Sequence, residues 1–246
     1  TGCGAPLADS EKFCSECGER VDGSATAGAP ARDPRAYTPK HLADKILASK
    51  SALEGERKQV TVLFADVKGS MELADSVDPE QWHAILDKFF QILADGVHRF
   101  EGTVNQYTGD GIMALFGAPI AHEDHAQRAC YAALRLTEEL RGYAAELRAR
   151  RGLNFSVRMG LNSGEVVVGR IGDDLRMDYT AQGHTVGLAA RMEQLAAADR
   201  VYLTEHTAKL VEGLFRLGDL GLFTLKGVHD PLRVYELQGV GPLRTR

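Results

Sequence analysis

The stretch Val60-Thr61-Val62-Leu63-Phe64-Ala65-Asp66-Val67 decides the fold that we expect for this chain. Its run of aliphatic, β-branched and aromatic residues predicts a buried strand. The strand ends at Asp66, and the segment Val67-Lys68-Gly69-Ser70-Met71 then enters a helix. Free backbone N–H groups at such a helix start would be suited to bind phosphate, so Gly69 and Ser70 are candidate substrate contacts.

A second carboxylate lies at the tip of a predicted hairpin. The strands Thr103–Tyr107 and Ile112–Phe116 flank the turn Thr108-Gly109-Asp110-Gly111. Adjacent strands lie about 4.8 Å apart, so Asp66 and Asp110 can meet at one end of the sheet. Facing carboxylates repel unless cations lie between them, and hard oxygen ligands suit Mg²⁺ or Mn²⁺ bound together with phosphate. The spacing alone leaves open a simpler interpretation, in which Gly-Asp-Gly only closes a hairpin.

The remaining pattern alternates helices and strands. Amphipathic periodicity predicts the helices Pro79–Phe100, Glu123–Arg150 and Gly183–Ala197. The segments Phe155–Leu161 and Glu165–Arg170 are predicted as a strand pair joined by Asn162-Ser163-Gly164. Shorter strands are expected at Arg200–Leu203 and, around a turn at Lys226-Gly227, within Leu214–Leu237. This order predicts an α+β fold, an antiparallel-rich sheet with helices packed on one face.

The N-terminal cysteines indicate part of a zinc site. Cys14-Ser15-Glu16-Cys17-Gly18 is a C-x-x-C-G knuckle, and Cys3-Gly4 is typical of the second half of another. Two such knuckles form a tetrahedral thiolate site, so residues 1–20 are predicted to be a partial zinc ribbon whose first ligand would precede Thr1. A remnant with free thiols is the alternative. Cys130 lies in a helical pattern and is expected to be a buried apolar residue rather than the fourth ligand.

Residues 21–56 are predicted to connect this ribbon to the main domain. Val21–Pro39 is rich in Ala, Gly, Pro and Asp, as linkers are. The following residues place Leu42, Ile46 and Leu47 on one helical face. This connector helix is expected either to pack against a partner chain or to be a short surface helix. The main domain then spans residues 57–240, and residues 241–246 form a tail.

The composition excludes several functional classes. The hydrophobic content of 44% and charged content of 26% are those of an ordinary globular protein. A net charge of −5 argues against nucleic-acid binding, which requires a positive surface. No run of about 18 apolar residues predicts a membrane span. The first residues contain no apolar signal-peptide core, so we expect a cytoplasmic protein.

Four segments resemble the motifs of class III adenylyl and guanylyl cyclases, in the order found in that family. They are Val60–Val67, Gly102–Gly117, Arg158–Gly169 and Asp178–Met192. The resemblance covers most of the main domain and excludes the ribbon and linker. It implies the ferredoxin-like cyclase fold, with an active site at a dimer interface.

The resemblance also implies a reaction and the residues that perform it. ATP would be converted to 3′,5′-cyclic AMP and pyrophosphate with two Mg²⁺ or Mn²⁺ ions, one of which activates the ribose 3′-hydroxyl. Asp66 and Asp110 would hold both ions, and the Val67 carbonyl would add a ligand. Arg191 would neutralise charge that develops on the α-phosphate. Lys226 and Arg176 are further candidates for phosphate contacts.

Three positions depart from the pattern of adenylyl cyclases, which usually have Lys, Asp and Asn there. The matching residues are Gln106, Thr180 and Gly187. An amide and a hydroxyl each donate and accept hydrogen bonds, so Gln106 and Thr180 could select adenine or, turned round, guanine. Threonine here is familiar in a bacterial subclass that often responds to bicarbonate, which makes bicarbonate a candidate regulator. Gly187 has no side chain to hold the ribose.

Two functional hypotheses follow from these residues. In the family, one domain supplies the metal-binding aspartates, and its partner supplies the base-selecting residues and the arginine. This chain carries both halves, so a symmetric homodimer would contain two sites. The first hypothesis is an active cyclase that uses ATP, or GTP as the alternative. The second is a weak or silent cyclase-fold module that binds nucleotide or dimerises, as Gly187 and Gln106 favour.

Overall fold

The computed structural model describes residues 37–48, 55–171, 177–180, 184–225 and 230–241, and only the backbone of Lys45, Arg170, Ile171 and residues 177–180. The predicted zinc ligands Cys3, Cys14 and Cys17 lie outside these residues, as do Arg176 and Lys226. Among the described residues, no helix combines the length and the apolar character needed to cross a bilayer.

The described residues form six α-helices and eight strands in an α+β order. The helices are α1 (Lys40–Ala48), α2 (Ser70–Asp75), α3 (Pro79–Arg99), α4 (His125–Arg151), α5 (His184–Leu195) and α6 (Glu205–Leu210). The strands are β1 (Arg57–Val67), β2 (Thr103–Tyr107), β3 (Gly111–Phe116), β4 (Val157–Ile171), β5 (Met177–Thr180), β6 (Val201–Thr204), β7 (Phe215–Phe223) and β8 (Leu232–Val240).

The strands form one sheet in the order β2-β3-β1-β4-β6-β8-β7, and β5 pairs with β4 outside this path. All pairs are antiparallel except β4 with β6. The expected antiparallel-rich α+β sheet is therefore confirmed. Strand β1 lies between β3 and β4, which explains why its residues from Val60 to Val67 are buried and mostly apolar.

Helices cover both faces of the sheet, so the prediction of helices on one face was wrong. Helices α3 and α4 pack over Leu63 and Ala65, whereas α1 and α5 pack over Val62 and Phe64. Successive side chains of a strand point to opposite faces, and in β1 both sets are apolar. Each set has to be covered, and α1 and α5 provide the second layer.

The predicted hairpin around Asn162-Ser163-Gly164 is also wrong, because β4 runs through these residues without a turn. Their polar groups have partners inside the fold. Asn162 Nδ2 donates to the Thr185 carbonyl at 2.8 Å and Asn162 Oδ1 accepts from Thr204 at 2.7 Å. Gly164 leaves room for α5, since a Cβ there would lie 2.6 Å from Thr185 Oγ1. The polar residues that indicated a turn therefore bind α5 to the sheet.

Helix α1 packs on the sheet of its own chain. Leu42 and Ile46 are buried in the cluster that contains Val62 and Leu115, so the predicted apolar face exists but is covered within the molecule. The preceding residue Tyr37 contacts the ring of Tyr107 on β2, at a centroid distance of 5.2 Å. Cys130 on α4 is fully buried, as expected, and burial raises the pKa of its thiol to about 12.

Candidate active site

The two candidate metal-binding aspartates lie side by side at one end of β1. Asp66 is the cross-strand partner of Gly111, the residue after Asp110. The Val67 amide donates to the Asp110 carbonyl at 3.0 Å, which joins the two segments directly. Asp66 is 8% exposed, and Asp110 is half-buried. The two segments that carry the aspartates therefore meet at one end of the sheet, and the joint binding of a metal by the two carboxylates stays a prediction.

The neighbours of these aspartates fix their arrangement. The turn closes through the Thr108 amide, which donates to the Gly111 carbonyl at 2.8 Å. Gly111 lies so close to β1 that a Cβ there would be 2.9 Å from Asp66 Oδ1 and would collide with the backbone of Ala65. The Ser70 hydroxyl donates to Asp110 Oδ2. Ser70 thus contacts one of the two candidate metal-binding carboxylates, a role that the sequence did not indicate.

The loop after Asp66 offers fewer free amides than the sequence predicted. The Val67 amide donates to Asp110, and the Lys68 amide donates to the Ser156 carbonyl at 2.9 Å, so neither is available to a phosphate. Gly69 has a left-handed backbone with φ 70° and begins helix α2. Any phosphate contact from the backbone of this loop is therefore limited to Gly69 and the first turn of α2.

The donor set fits divalent cations that share their ligands with a nucleotide. Among the described residues, no group of three or more His, Cys, Asp or Glu side chains is arranged to hold a metal. Asp66 and Asp110 are the two candidate carboxylate ligands. Mg²⁺ commonly binds through one or two carboxylates together with substrate phosphates and water, and such a site does not require a third protein side chain.

A β-bulge places Gln106 on the same face of the sheet as Asp66. Thr103 and Val104 pair with Leu115 and Ala114, but Gln106 then pairs with Met113, so Asn105 is an extra residue. Without the bulge, alternation would have turned Gln106 to the opposite face. The half-buried Gln106 instead shares the face of Met113, on which α5 also packs.

Helix α5 carries the other candidate residues. Gly187 and Arg191 lie four residues apart and therefore on one side of the helix. Gly187 is buried, and Arg191 is half-buried with its Nη2 atom enclosed and without a hydrogen-bond partner among the described residues. A guanidinium nitrogen in that state is suited to bind an anion. Thr180 pairs through its backbone with Val167, and its side chain is outside the description.

Comparison with known proteins identifies the family. Residues 54–239 match the model of the adenylate and guanylate cyclase catalytic domain. The chain belongs to this family. It is therefore a cyclase domain, of a class of lyases that form cyclic nucleotides.

Both adenylyl and guanylyl cyclases are among the proteins that resemble this cyclase domain. Adenylate cyclase 1 of Rhizobium meliloti (strain 1021) is 31% identical over 208 residues, which are 83% of this chain and 31% of that protein. The structure of the adenylyl cyclase CyaB from P. aeruginosa is 28% identical with a TM-score of 0.69, covering 74% of this chain and 95% of that one. The guanylyl cyclase Cya2 is 29% identical with a TM-score of 0.70, covering 78% and 97%. The chain spans about a third of the length of the curated relatives that it matches.

The cyclase domain contains an ionic cluster that the sequence did not reveal. Arg158 on β4 is the cross-strand partner of Asp66, and its Nη2 lies 3.4 Å from Asp66 Oδ2. Its Nε lies 2.5 Å from Oε1 of Glu193 on α5, an ion pair whose orientation does not meet hydrogen-bond geometry. Glu193 is only 6% exposed. The one indication of this cluster in the sequence was the charge of Arg158 at the start of an apolar strand, and that charge alone does not identify the residues with which it pairs.

A second, neutral cluster crosses the middle of the sheet. Thr61 Oγ1 is 2.8 Å from Nδ1 of His125 on α4 and 2.7 Å from Ser163 Oγ on β4. Thr207 on α6 donates to Ser163 at 3.1 Å. Desolvation lowers the pKa of His125, partly opposed by Asp124. The neutral imidazole is therefore the favoured form of His125 in the folded domain.

Proposed function

We propose that this cyclase domain converts ATP to 3′,5′-cyclic AMP and pyrophosphate, as a homodimer with two Mg²⁺ or Mn²⁺ ions at each site. The observation that carries the proposal is the contact between the ends of β1 and the β2–β3 hairpin. It joins the backbone segments that carry Asp66 and Asp110, and the Ser70 hydroxyl donates to the Asp110 carboxylate, which supports a shared metal site for the two aspartates. Bound metal ions would supply Lewis-acid activation of the ribose 3′-hydroxyl and charge neutralisation of the triphosphate.

The chain's own residues then have distinct roles. Asp66 and Asp110 hold the cations, and the Val67 carbonyl is the proposed additional ligand. Arg191 binds the α-phosphate and stabilises the charge that develops there, a role that its enclosed and unpaired Nη2 atom supports. The sequence-based assignment of Arg176 and Lys226 to the phosphates remains a proposal.

The directions of α5 side chains support a site shared between two chains. Glu193 is directed toward the Asp66 end of the sheet, since it forms an ion pair with Arg158. Arg191 lies two residues earlier, and two residues rotate a side chain by about 200° around a helix. Arg191 therefore points away from the carboxylates of its own chain. A second copy would bring its Arg191 to Asp66 and Asp110, and the same contact would form a second site.

The base preference rests on two side chains. Gln106 has the amide needed to donate to adenine N1, and it shares the sheet face of Asp66. The Thr180 hydroxyl is proposed to accept from adenine N6. Turned round, the same two groups could pair with guanine, so the alternative is a guanylyl cyclase. Bicarbonate is proposed as an activator, because the cyclases with threonine at the position of Thr180 often respond to bicarbonate.

A slow or silent domain is the second candidate function, and Gly187 favours it. The position lies on the same side of α5 as Arg191, yet it offers no group that could hold a ribose. Pairing of the Val67 and Lys68 amides also leaves less backbone for phosphate. A domain with these features could bind nucleotide and dimerise with little turnover.

Product analysis tests the proposal. The chain is incubated with ATP or GTP and Mn²⁺ or Mg²⁺, with and without bicarbonate, and products are identified by mass. Cyclic AMP as the main product supports the adenylate cyclase, and cyclic GMP as the main product supports the guanylyl cyclase. Nucleotide binding with no cyclic product under any condition would establish the silent module. Zinc analysis of the same preparation tests the site proposed for Cys3, Cys14 and Cys17.

A mixed dimer tests the shared site. Asp66→Asn and Arg191→Ala should each be inactive alone, because each spoils both sites of a homodimer. A mixture should regain partial activity, since one of the two sites in a heterodimer has both halves intact. Differently tagged chains verify that heterodimers form. No recovery in verified heterodimers would contradict the shared site.

A further inference from the structure

Arg158 joins the metal-binding end of the sheet to helix α5. Its Nη2 atom lies 3.4 Å from Oδ2 of Asp66, and its Nε atom lies 2.5 Å from Oε1 of Glu193. A further weak contact connects its Nη1 with the carbonyl of Gln194 at 3.4 Å, near the C-terminus of α5. A cation at a helix C-terminus is favoured by the helix dipole. The Arg158 side chain therefore spans two elements rather than belonging to one.

Helix α5 is pressed directly onto the strand that carries Arg158. A Cβ at Gly160, two residues after Arg158, would collide with the backbone of Glu193. Close packing of this kind transmits small displacements, because a packed interior has little free space to absorb them. Glu193 lies two residues after Arg191, so a displacement that Arg158 imposes on Glu193 also moves the helix that carries Arg191.

The charges of this cluster depend on whether cations are bound. Without metal, the single positive charge of Arg158 is shared between the carboxylates of Asp66 and Glu193, which are mostly buried. A divalent cation at Asp66 would neutralise that carboxylate and repel Arg158. The guanidinium would then interact more strongly with Glu193, which needs a counter-charge because a buried carboxylate is costly without one.

We propose that Arg158, held by Glu193, is a positioning element that couples cation binding at Asp66 to the placement of helix α5. The inference rests on the metal site in the proposed function. In the proposed homodimer, Asp66 serves one active site and Arg191 of the same chain serves the other. Arg158 and Glu193 thereby link the metal state of one site to the phosphate-binding arginine of the second, and the coupling is reciprocal.

Direct Mn²⁺ binding tests the coupling without requiring turnover. Free Mn²⁺ is measured by electron paramagnetic resonance during titration of the full chain. Glu193→Gln should weaken Mn²⁺ binding by about fivefold or more, because Arg158 is then free to compete with the metal at Asp66. About fivefold is the lower end of the change in affinity that is typical of coupled sites. The matched control is Glu165→Gln, which breaks the exposed ion pair of Glu165 on β4 with Arg57 on β1. It should change the affinity for Mn²⁺ less than twofold.

A double-mutant cycle separates the proposed link from the simple loss of a nearby negative charge. If Glu193 acts through Arg158, the variant Arg158→Gln and the double variant Arg158→Gln/Glu193→Gln should bind Mn²⁺ with equal affinity within twofold. If the charge of Glu193 acts directly through space, Glu193→Gln should weaken binding equally in both backgrounds. That result would overturn the proposal.

Hydrogen–deuterium exchange measures the response of α5 itself. In the wild type, Mn²⁺ should slow exchange of the amides in residues 184–195, and in folded Glu193→Gln it should not. If Glu193→Gln fails to fold, Arg158→Lys replaces it, since lysine keeps the charge but lacks the planar fork that spans both carboxylates. Mn²⁺ binding that leaves α5 exchange unchanged in the wild type overturns the coupling alone. A wild type that binds no Mn²⁺ overturns both the coupling and the proposed metal site.

Discussion

The strand pair β1–β4 carries two polar clusters that differ in almost every physical respect. At one end, Asp66 faces Arg158 and the hairpin residue Asp110, and the cluster contains formal charges near the surface. In the middle, Thr61 and Ser163 form a short hydrogen bond with each other, and the cluster is neutral and buried. The two clusters lie only five residues apart along β1.

The difference separates groups that serve a ligand from groups that serve the fold. The central cluster satisfies its members inside the protein, as buried hydroxyl and amide groups require. Among the described residues, the end cluster combines the carboxylates of Asp66, Asp110 and Glu193 with the guanidinium of Arg158, and divalent cations would neutralise part of this negative charge. Substitutions at the end should therefore change activity, and substitutions in the middle should change stability.

The largest effect is expected at the end cluster. Asp66→Asn and Asp110→Asn should each lower turnover about 100-fold or more, equivalent to about 2.7 kcal/mol of barrier, because each removes a charged metal ligand. Unfolding midpoints should stay close to that of the wild type. Asp95→Asn, at an exposed position on α3, is the control. Either variant retaining more than about a tenth of the activity would contradict the metal assignment.

The central cluster should show the opposite behaviour, and it includes Asn162, which is linked to Thr207 through the hydroxyl of Thr204. Asn162→Leu removes the donor to the Thr185 carbonyl and the acceptor for Thr204, and leaves both groups buried. Each of the two lost hydrogen bonds contributes about 0.5–1.5 kcal/mol, so the free energy of unfolding should fall by at least about 1 kcal/mol. Denaturant titration measures this loss, with the exposed Asn154→Leu as control. A stability within 0.5 kcal/mol of the wild type, roughly the scatter of surface substitutions, would contradict the structural role.

A substitution at Gly187 tests whether a side chain added near the proposed nucleotide site raises turnover. Its helical position on α5 is compatible with any L-residue backbone, and Gly187→Asn should raise turnover about threefold, within the value of one hydrogen bond of about 0.5–1.5 kcal/mol. Gly187→Ala controls for filling this buried position without adding a donor. Equal rates in the two variants, or a lower rate in folded Gly187→Asn, would show that the ribose is oriented by other groups.

The smallest effect concerns His125 and pH. Because burial lowers the pKa of His125 from its ordinary value of 6.5, the unfolded chain binds more protons than the folded domain as the pH falls below that value. Stability is complete above that pH and is lost as the pH falls through the window beneath 6.5. His125→Gln should make the pH dependence of the unfolding temperature shallower between pH 7 and about 5. Equal slopes in the wild type and in His125→Gln would contradict the assignment.

Local sequence was sufficient for much of the fold. The apolar run of β1, the turn around Gly109 and the periodicity of α3 and α4 each specify an element from neighbouring residues, and the structure contains all of them within a few residues of the predicted bounds. The pairing of β1 with the hairpin followed from strand geometry. It placed Asp66 and Asp110 together before any tertiary contact was known.

Other features depend on contacts that a local pattern does not contain. Asn162 and Ser163 indicate a turn by composition, but their partners Thr204, Thr185 and Thr61 are distant in sequence and make a continuous strand favourable. The bulge at Asn105 changes which face Gln106 occupies without changing the residues on either side.

By itself, the sequence determined the family motifs, the end of the sheet at which the aspartates meet and the two residues that form the acidic pair. Only the tertiary structure decided that helices cover both faces, that Val67 and Lys68 use their amides within the protein, and that Arg158 connects Asp66 with Glu193. The reason is that strand and helix patterns arise from neighbouring residues, whereas a buried charge or amide is stabilised by whichever group the completed fold brings to it.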